Sequence, residues 1–238
     1  MKRMMQFLKM MVLIVVLGGM YAFADQRNKN RRVKDLQIKF VDQQDPYLNE
    51  LSVDKLLIQN QIGVANIGKE ILALNNAEAA LDAHQLIEES DVYVSVNGQL
   101  NAIIKQKTPI ARVDASTPYY IDITGKRMPL SQSYTAHVPM VYQVSEMEVP
   151  EVYKLVKQIW QDEFLKKHIT DISRISAHTY ELGIRALDFK VVVGTAENLE
   201  EKFKNFKAFY QKAVKDKSLE KYSKVNLAFK NQVVCTLK

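Results

Sequence analysis

The sequence predicts an α+β protein with an N-terminal membrane helix, and three observations carry that prediction. A run of eighteen residues near the start is almost wholly apolar. The next roughly 75 residues follow a strand, helix, helix, strand, strand pattern. The remainder is a series of short alternating strands interrupted by two amphipathic helices. The chain has 238 residues, and 47% hydrophobic with 25% charged side chains describes a folded polypeptide rather than a disordered one.

Residues 7–24 read FLKMMVLIVVLGGMYAFA, with Lys9 as the sole charge, near enough to one end to reach the headgroups. At 1.5 Å per residue this is about 27 Å of helix, roughly the hydrocarbon thickness of a bilayer. The run is therefore a spanning helix or a signal peptide. Ala22-Phe23-Ala24 has the small-x-small pattern of a cleavage site, so anchor and cleaved leader both stay open. Lys2, Arg3 and Lys9 before the run are matched by Arg27, Lys29, Arg31 and Arg32 after it, and the positive-inside rule gives no orientation. This divides the N-terminal part into a tail (1–6), a membrane segment (7–24) and a basic juxtamembrane linker (25–32) whose bases suit anionic headgroups.

Residues 33–41 alternate apolar and polar side chains through Val33, Leu36, Ile38 and Phe40 or Val41, as a half-buried strand does. A polar turn over 42–46 leads to a short helix over 52–58 with Ser52 as its cap. A second helix is expected over 76–90, where Ala77, Ala80 or Leu81, His84 and Ile87 share a face. Val92, Val94 and Val96 then alternate up to Asn97-Gly98, a strong hairpin signal, and residues 100–105 supply the return strand. A boundary is expected near 107–112, giving a small domain over 33–108 and a β-rich one over 109–238.

Beyond that boundary, Tyr119-Tyr120-Ile121-Asp122 and Met128-Pro129-Leu130 flank a turn carrying Gly125. Pro150 opens a helix with Val152, Leu155, Val156, Ile159, Trp160 and Phe164 at helical spacing, so Trp160 is expected to pack inward. Strands follow at Tyr180, Leu182, Ile184 and at Leu187, Phe189, Val191, Val193, ending on Gly194. A second helix carries Leu199, Phe203, Phe206, Tyr210 and Ala213 or Val214, with acids at its start and lysines near its end, matching the helix dipole. Residues 225–235, with Val225, Leu227, Phe229, Val233 and Cys235 on one face, read as a single closing strand. Such a strand either pairs on both sides or lies at an edge open to a partner.

Charge and motifs narrow the function. Residues 1–32 hold seven bases and one acid, while residues 33–238 hold 26 of each, so the body has no net field to attract nucleic acid. The single cysteine, Cys235, excludes an internal disulfide and a thiolate metal cluster, and its place on an apolar strand face describes an inert thiol. His84, His137, His168 and His178 never fall at metal-ligand spacing. Phosphate loops, nucleophile elbows and dinucleotide fingerprints are missing from the sequence, and neither catalytic residues nor a cofactor are expected. A binding or scaffolding role is the expectation. A signal-cleaved periplasmic binding protein, or an enzyme without a local motif, is the alternative the residues leave open.

Several motifs carry a resemblance. Thr108-Pro109-Ile110-Ala111-Arg112-Val113 is similar to the R-x-P-x-A strand of the bacterial cell-division proteins of the FtsQ/DivIB family. Tyr119-Tyr120-Ile121-Asp122, Gly125 and Pro129-Leu130 resemble that family's YID-x-x-G-x-x-x-PL hairpin, and residues 134–141 its proline-marked strand. With the basic tail, single span and closing strand, the likeness covers nearly the whole chain. It implies a single-pass inner-membrane protein with its N-terminus in the cytoplasm, a POTRA domain outside the membrane and a β domain beyond. It implies a non-enzymatic divisome scaffold at the septum, binding FtsB/FtsL-type (DivIC-like) coiled-coil proteins and supporting septal peptidoglycan synthesis. Partner binding by strand addition falls, by position, on Tyr222 and on Val225, Asn226, Leu227, Ala228, Phe229, Lys230, Asn231, Gln232, Val233 and Val234. Where the family strand often reads D-L-R-Y, this chain has Asn226-Leu227-Ala228-Phe229. Main-chain pairing does not depend on that difference.

Overall fold

The computed structural model describes residues 2–29, 36–41, 45–59, 71–95, 97–230 and 232–238. The expected strand residues 33–35, linker residues 30–32, the turn over 42–44, Val96 and Asn231 lie outside them. Helix α1 (Lys2–Lys29) contains the apolar run. Among the described residues it is the one helix long and apolar enough to cross a bilayer, and none of Lys9–Gln26 is buried. A core helix of a soluble protein would bury this surface, whereas lipid accepts it.

The chain divides into two compact units, Met1–Gln44 with Leu48–Gln106, and Asp45–Tyr47 with Lys107–Lys238. Beyond α1, the first unit runs β1 (Leu36–Val41), α2 (Glu50–Gln59), α3 (Ile71–Asp82), β2 (Ile87–Val94) and β3 (Leu100–Gln106). Its sheet order is β1-β3-β2, with β1 parallel and β2 antiparallel to β3. Val53, Leu57, Ala77 and Leu81 from the helices are buried, as are Leu100, Ala102 and Ile104 from the central strand. The β2–β3 hairpin turns over Gly98, whose φ of 87° suits glycine.

Two expectations here need correction. The cap of α2 is Asn49, not Ser52: the Asn49 carboxamide oxygen accepts from the Ser52 amide at 2.8 Å, the capping geometry at the third helical residue. The second helix spans Ile71–Asp82 rather than 76–90, because residues 87–90 pair with β3. There the Ser90 hydroxyl donates to Asp82 at 2.7 Å, tying the strand to the helix end.

The second unit is a nine-stranded mixed sheet ordered β12-β11-β10-β9-β8-β7-β4-β5-β6. Its elements are β4 (Pro109–Val113), β5 (Tyr119–Asp122), β6 (Arg127–Pro129), β7 (Met140–Tyr142), α4 (Val149–Trp160), α5 (Glu163–His168), β8 (Ile169–Ser176), β9 (Thr179–Ile184), β10 (Lys190–Gly194), α6 (Leu199–Lys215), β11 (Tyr222–Asn226) and β12 (Val234–Leu237). One sheet face and the helices share a continuous core that includes Ile110, Ile121, Val152, Ile159, Leu182, Phe203 and Phe206. The turn after β5 has a physical cause. The buried Asp122 carboxylate accepts from the amides of Thr124 and Lys126 at 2.8 and 2.9 Å, and Gly125 turns at φ 84° beneath the Tyr153 ring. That accounts for the Tyr-Ile-Asp…Gly pattern of the hairpin.

The helix predicted from Pro150 through Phe164 is two helices. Asp162 interrupts it and caps α5, accepting from the amides of Phe164 and Leu165 at 3.0 and 3.1 Å. Trp160 is partly buried against the core, with the Lys166 ammonium 4.0 Å above its ring. In α6 it is Ala213, not Val214, that packs inward. Strand β8 is not among the expected strands, because its apolar residues Ile169, Ile172 and Ile175 stand three apart rather than two. The predicted closing strand over 225–235 is a hairpin: the Asn226 carboxamide oxygen accepts from the Ala228 amide at 2.9 Å and turns the chain out of β11.

Candidate functional site

The site expected at the end of the chain is built by this hairpin. Strand β11 is paired on both sides, parallel to β10 and antiparallel to β12. The Leu227 amide extends the first of these by donating to the Val192 carbonyl at 2.8 Å. Backbone groups of β11 are therefore occupied. Among the described residues β12 has one neighbour, β11, and its other side is the end of the sheet.

The expected partner residues accordingly separate into groups. Val225 and Leu227 belong to the core, and Val233 packs partly against it. Tyr222 is half-buried, its ring edge-on to Phe209 at 5.3 Å between centroids. Asn226 serves the turn. Ala228, Lys230 and Gln232 are exposed, as is Phe229 at 48%, and all lie in the connection between the strands. Asn231 falls outside the described residues. Of the expected set Val234 alone is on β12, and it is 42% exposed. Cys235, the last residue of the expected strand, and Thr236 and Leu237, which lie beyond its expected end, complete β12, and Leu237 is 64% exposed. The pairing register places Cys235 and Leu237 on the face of Val225 and Tyr222, towards the helices. Val234 and Thr236 share the opposite face with Asn226 and Lys224.

Desolvation raises the Cys235 thiol above its ordinary value, which makes it a poor nucleophile. Among the described residues no three His, Cys, Asp or Glu side chains come together to hold a metal ion. What the edge can do is pair: a row of main-chain donors and acceptors at a sheet end is a template for one more strand.

Its electrostatics are uneven. The 26 bases and 26 acids of the body balance only in sum. Residues 33–106 hold five bases and eleven acids, residues 107–198 eleven of each, and residues 199–238 ten bases and four acids. Lys202 bonds the Thr195 carbonyl, Lys207 pairs with Asp162 and Lys238 with Asp188. Lys204, Lys212, Lys215, Lys217, Lys221, Lys224 and Lys230 have no ion-pair partner among the described residues.

A family model described as FtsQ/DivIB, C-terminal related, matches residues 108–236, more than half of the chain. No curated protein matches it.

Proposed function

Since the chain belongs to the FtsQ/DivIB, C-terminal related family of division proteins, we propose that it is a single-pass divisome scaffold which binds its partner by strand addition to β12. In this reading residues 7–24 anchor the protein in the inner membrane, with residues 1–6 in the cytoplasm and the rest outside. Residues 33–108 form a POTRA-type domain near the membrane and residues 109–238 the partner-binding β domain. Bound partners are FtsB/FtsL-like (DivIC-like) proteins, through which the scaffold supports septal peptidoglycan synthesis. It turns over no substrate.

The observation that carries the reading is the open β12 edge, with Val234 and Leu237 exposed beside it. The partner's main chain supplies the affinity, and its alternate side chains meet the two faces of β12. Ala228, Phe229, Lys230 and Gln232 flank the added strand.

The test is capture of the extracytoplasmic part of an FtsB- or DivIC-like partner from the same cells. Cys235→Pro and Thr236→Pro each remove one β12 amide, and because adjacent strand amides point to opposite sides, one of the two faces the open edge. That variant loses capture while keeping the parent's circular dichroism and membrane insertion. Undiminished capture by both variants sinks the proposal. Leu227→Pro is a poor substitute, since the Leu227 amide already serves the sheet. A fluorescent fusion forms a midcell band in dividing cells. N-terminal sequencing of the mature protein separates this reading from the secreted alternative, which requires a start at Asp25.

A further inference from the structure

The open edge sits in the most basic part of the body. Residues 199–238 carry ten bases against four acids, and they build α6, β11 and β12. Helix α6 ends at Lys215; the Ser218 amide bonds back to the Ala213 carbonyl, the Lys221 amide to Ser218, and the Lys238 amide to the Lys221 carbonyl at 2.9 Å. These bonds gather Lys217, Lys221 and the Leu237 end of β12 at one end of the hairpin. Lys224 stands on β11 in register with Thr236 of β12. A strand added to β12 runs about 10 Å from β11, two strand spacings, which is within one Debye length at 0.1 M salt. Every one of Lys217, Lys221 and Lys224 is exposed and has no ion-pair partner among the described residues.

From this charge distribution we infer that the strand received by β12 is acidic, with apolar residues on its helix-side face and Asp or Glu on the other face and at its flank. The inference rests on the edge reading above and specifies its partner. The apolar face of the incoming strand meets Cys235 and Leu237; its carboxylates meet Lys224 on the open face and Lys217 and Lys221 beside the Leu237 end. A second copy of this chain is a poor occupant, because its own β12 belongs to a segment of ten bases and four acids and is not the acidic strand the lysines would attract. The free lysines act over distance, so their contribution lies in steering and in association rate more than in dissociation.

The experiment measures association and dissociation rates for the same extracytoplasmic partner segment at 50 and 500 mM NaCl. It compares the parent, the triple variant Lys217→Glu/Lys221→Glu/Lys224→Glu, and the two β12 proline variants. The expected result is an association rate about tenfold or more slower for the triple variant at low salt, with dissociation changed less than about threefold. High salt shrinks that gap, and a partner segment with its acids changed to Lys recovers binding to the triple variant. Binding that ignores salt and charge reversal, yet disappears with a proline variant, overturns the acidic partner and leaves the edge standing. Binding that survives both prolines overturns the edge itself. A partner segment with net positive charge that binds the parent as tightly also overturns the inference.

Discussion

Gly194 closes β10 at φ 74°, and a Cβ built there would lie 2.9 Å from the Ala228 Cβ and 3.5 Å from its Cα. Gly194→Ala thus meets two obstacles. Holding alanine in the left-handed region costs about 1–2 kcal/mol, offset by about 0.4–1 kcal/mol from its smaller unfolded-state entropy. Carbon pairs rest at about 3.5–4.0 Å, so the 2.9 Å approach must open by at least about 0.6 Å. The atoms in the way belong to backbone or to a side chain with no rotamer to change, and overpacking of this kind costs about 1–3 kcal/mol. The net loss is about 3 kcal/mol, or a fall in Tm of roughly 6–12 °C. Urea denaturation of Gly194→Ala, Ala228→Gly and the double variant separates the two parts. Removing the Ala228 methyl relieves the close approach but not the backbone strain, so the cycle should give a coupling of about 1–2 kcal/mol. A coupling below about 0.3 kcal/mol would refute the steric reasoning, whatever the single variant does. The pair matters for function because Ala228 leads from β11 towards β12, and a shift there moves the proposed docking edge.

Three further outcomes follow from the core and the helix ends. Phe206 is fully buried, with ring neighbours Phe164 and Tyr210 at 6.2 and 6.1 Å, and Phe206→Ala should lower the unfolding free energy by about 3–5 kcal/mol in urea titration. Asn49→Ala removes the α2 cap and should cost about 1 kcal/mol, read as a lower urea midpoint of the first unit with no change in the second. Burial pushes the Asp162 carboxyl up, but the Lys207 ammonium and the amides of Leu165 and Phe164 outweigh it and hold the group below its ordinary value. A depressed carboxylate stabilises the fold above its unfolded pKa, and that stability disappears as pH falls through the lower, folded value. Asp162→Asn keeps the cap but loses the charge, so its urea midpoint should fall short of the parent's at pH 7 and approach it at about pH 2. An unchanged gap at acid pH would show that the charge was not the cause.

Much of the architecture was legible because its causes are local. The apolar run of α1 needs only composition, the Asn97-Gly98 hairpin only turn chemistry, and α6 only the spacing of Leu199, Phe203, Phe206 and Tyr210. Errors gathered where two local signals competed. Helical spacing continued past Trp160 to Phe164, yet Asp162 was a better cap than a helix interior residue. Apolar spacing ran from Val225 to Cys235, yet Asn226 bonded the Ala228 amide and broke the strand in two.

The residues in order were enough for an anchor-like helix, a mixed α+β body, a family likeness and strand character near the end of the chain. Which strand there has an unpaired side was a matter of the folded molecule. Strand β11 lies beside β10 only because α6 carries the chain across seventeen residues, and β12 then folds back to cover it. Edge status is a property of long-range pairing, invisible to a period-two pattern that looks the same in a central and an outer strand. The same holds for charge: ten bases and four acids are countable in residues 199–238, but only the pairing of β10, β11 and β12 sets those lysines beside an open row of backbone donors and acceptors.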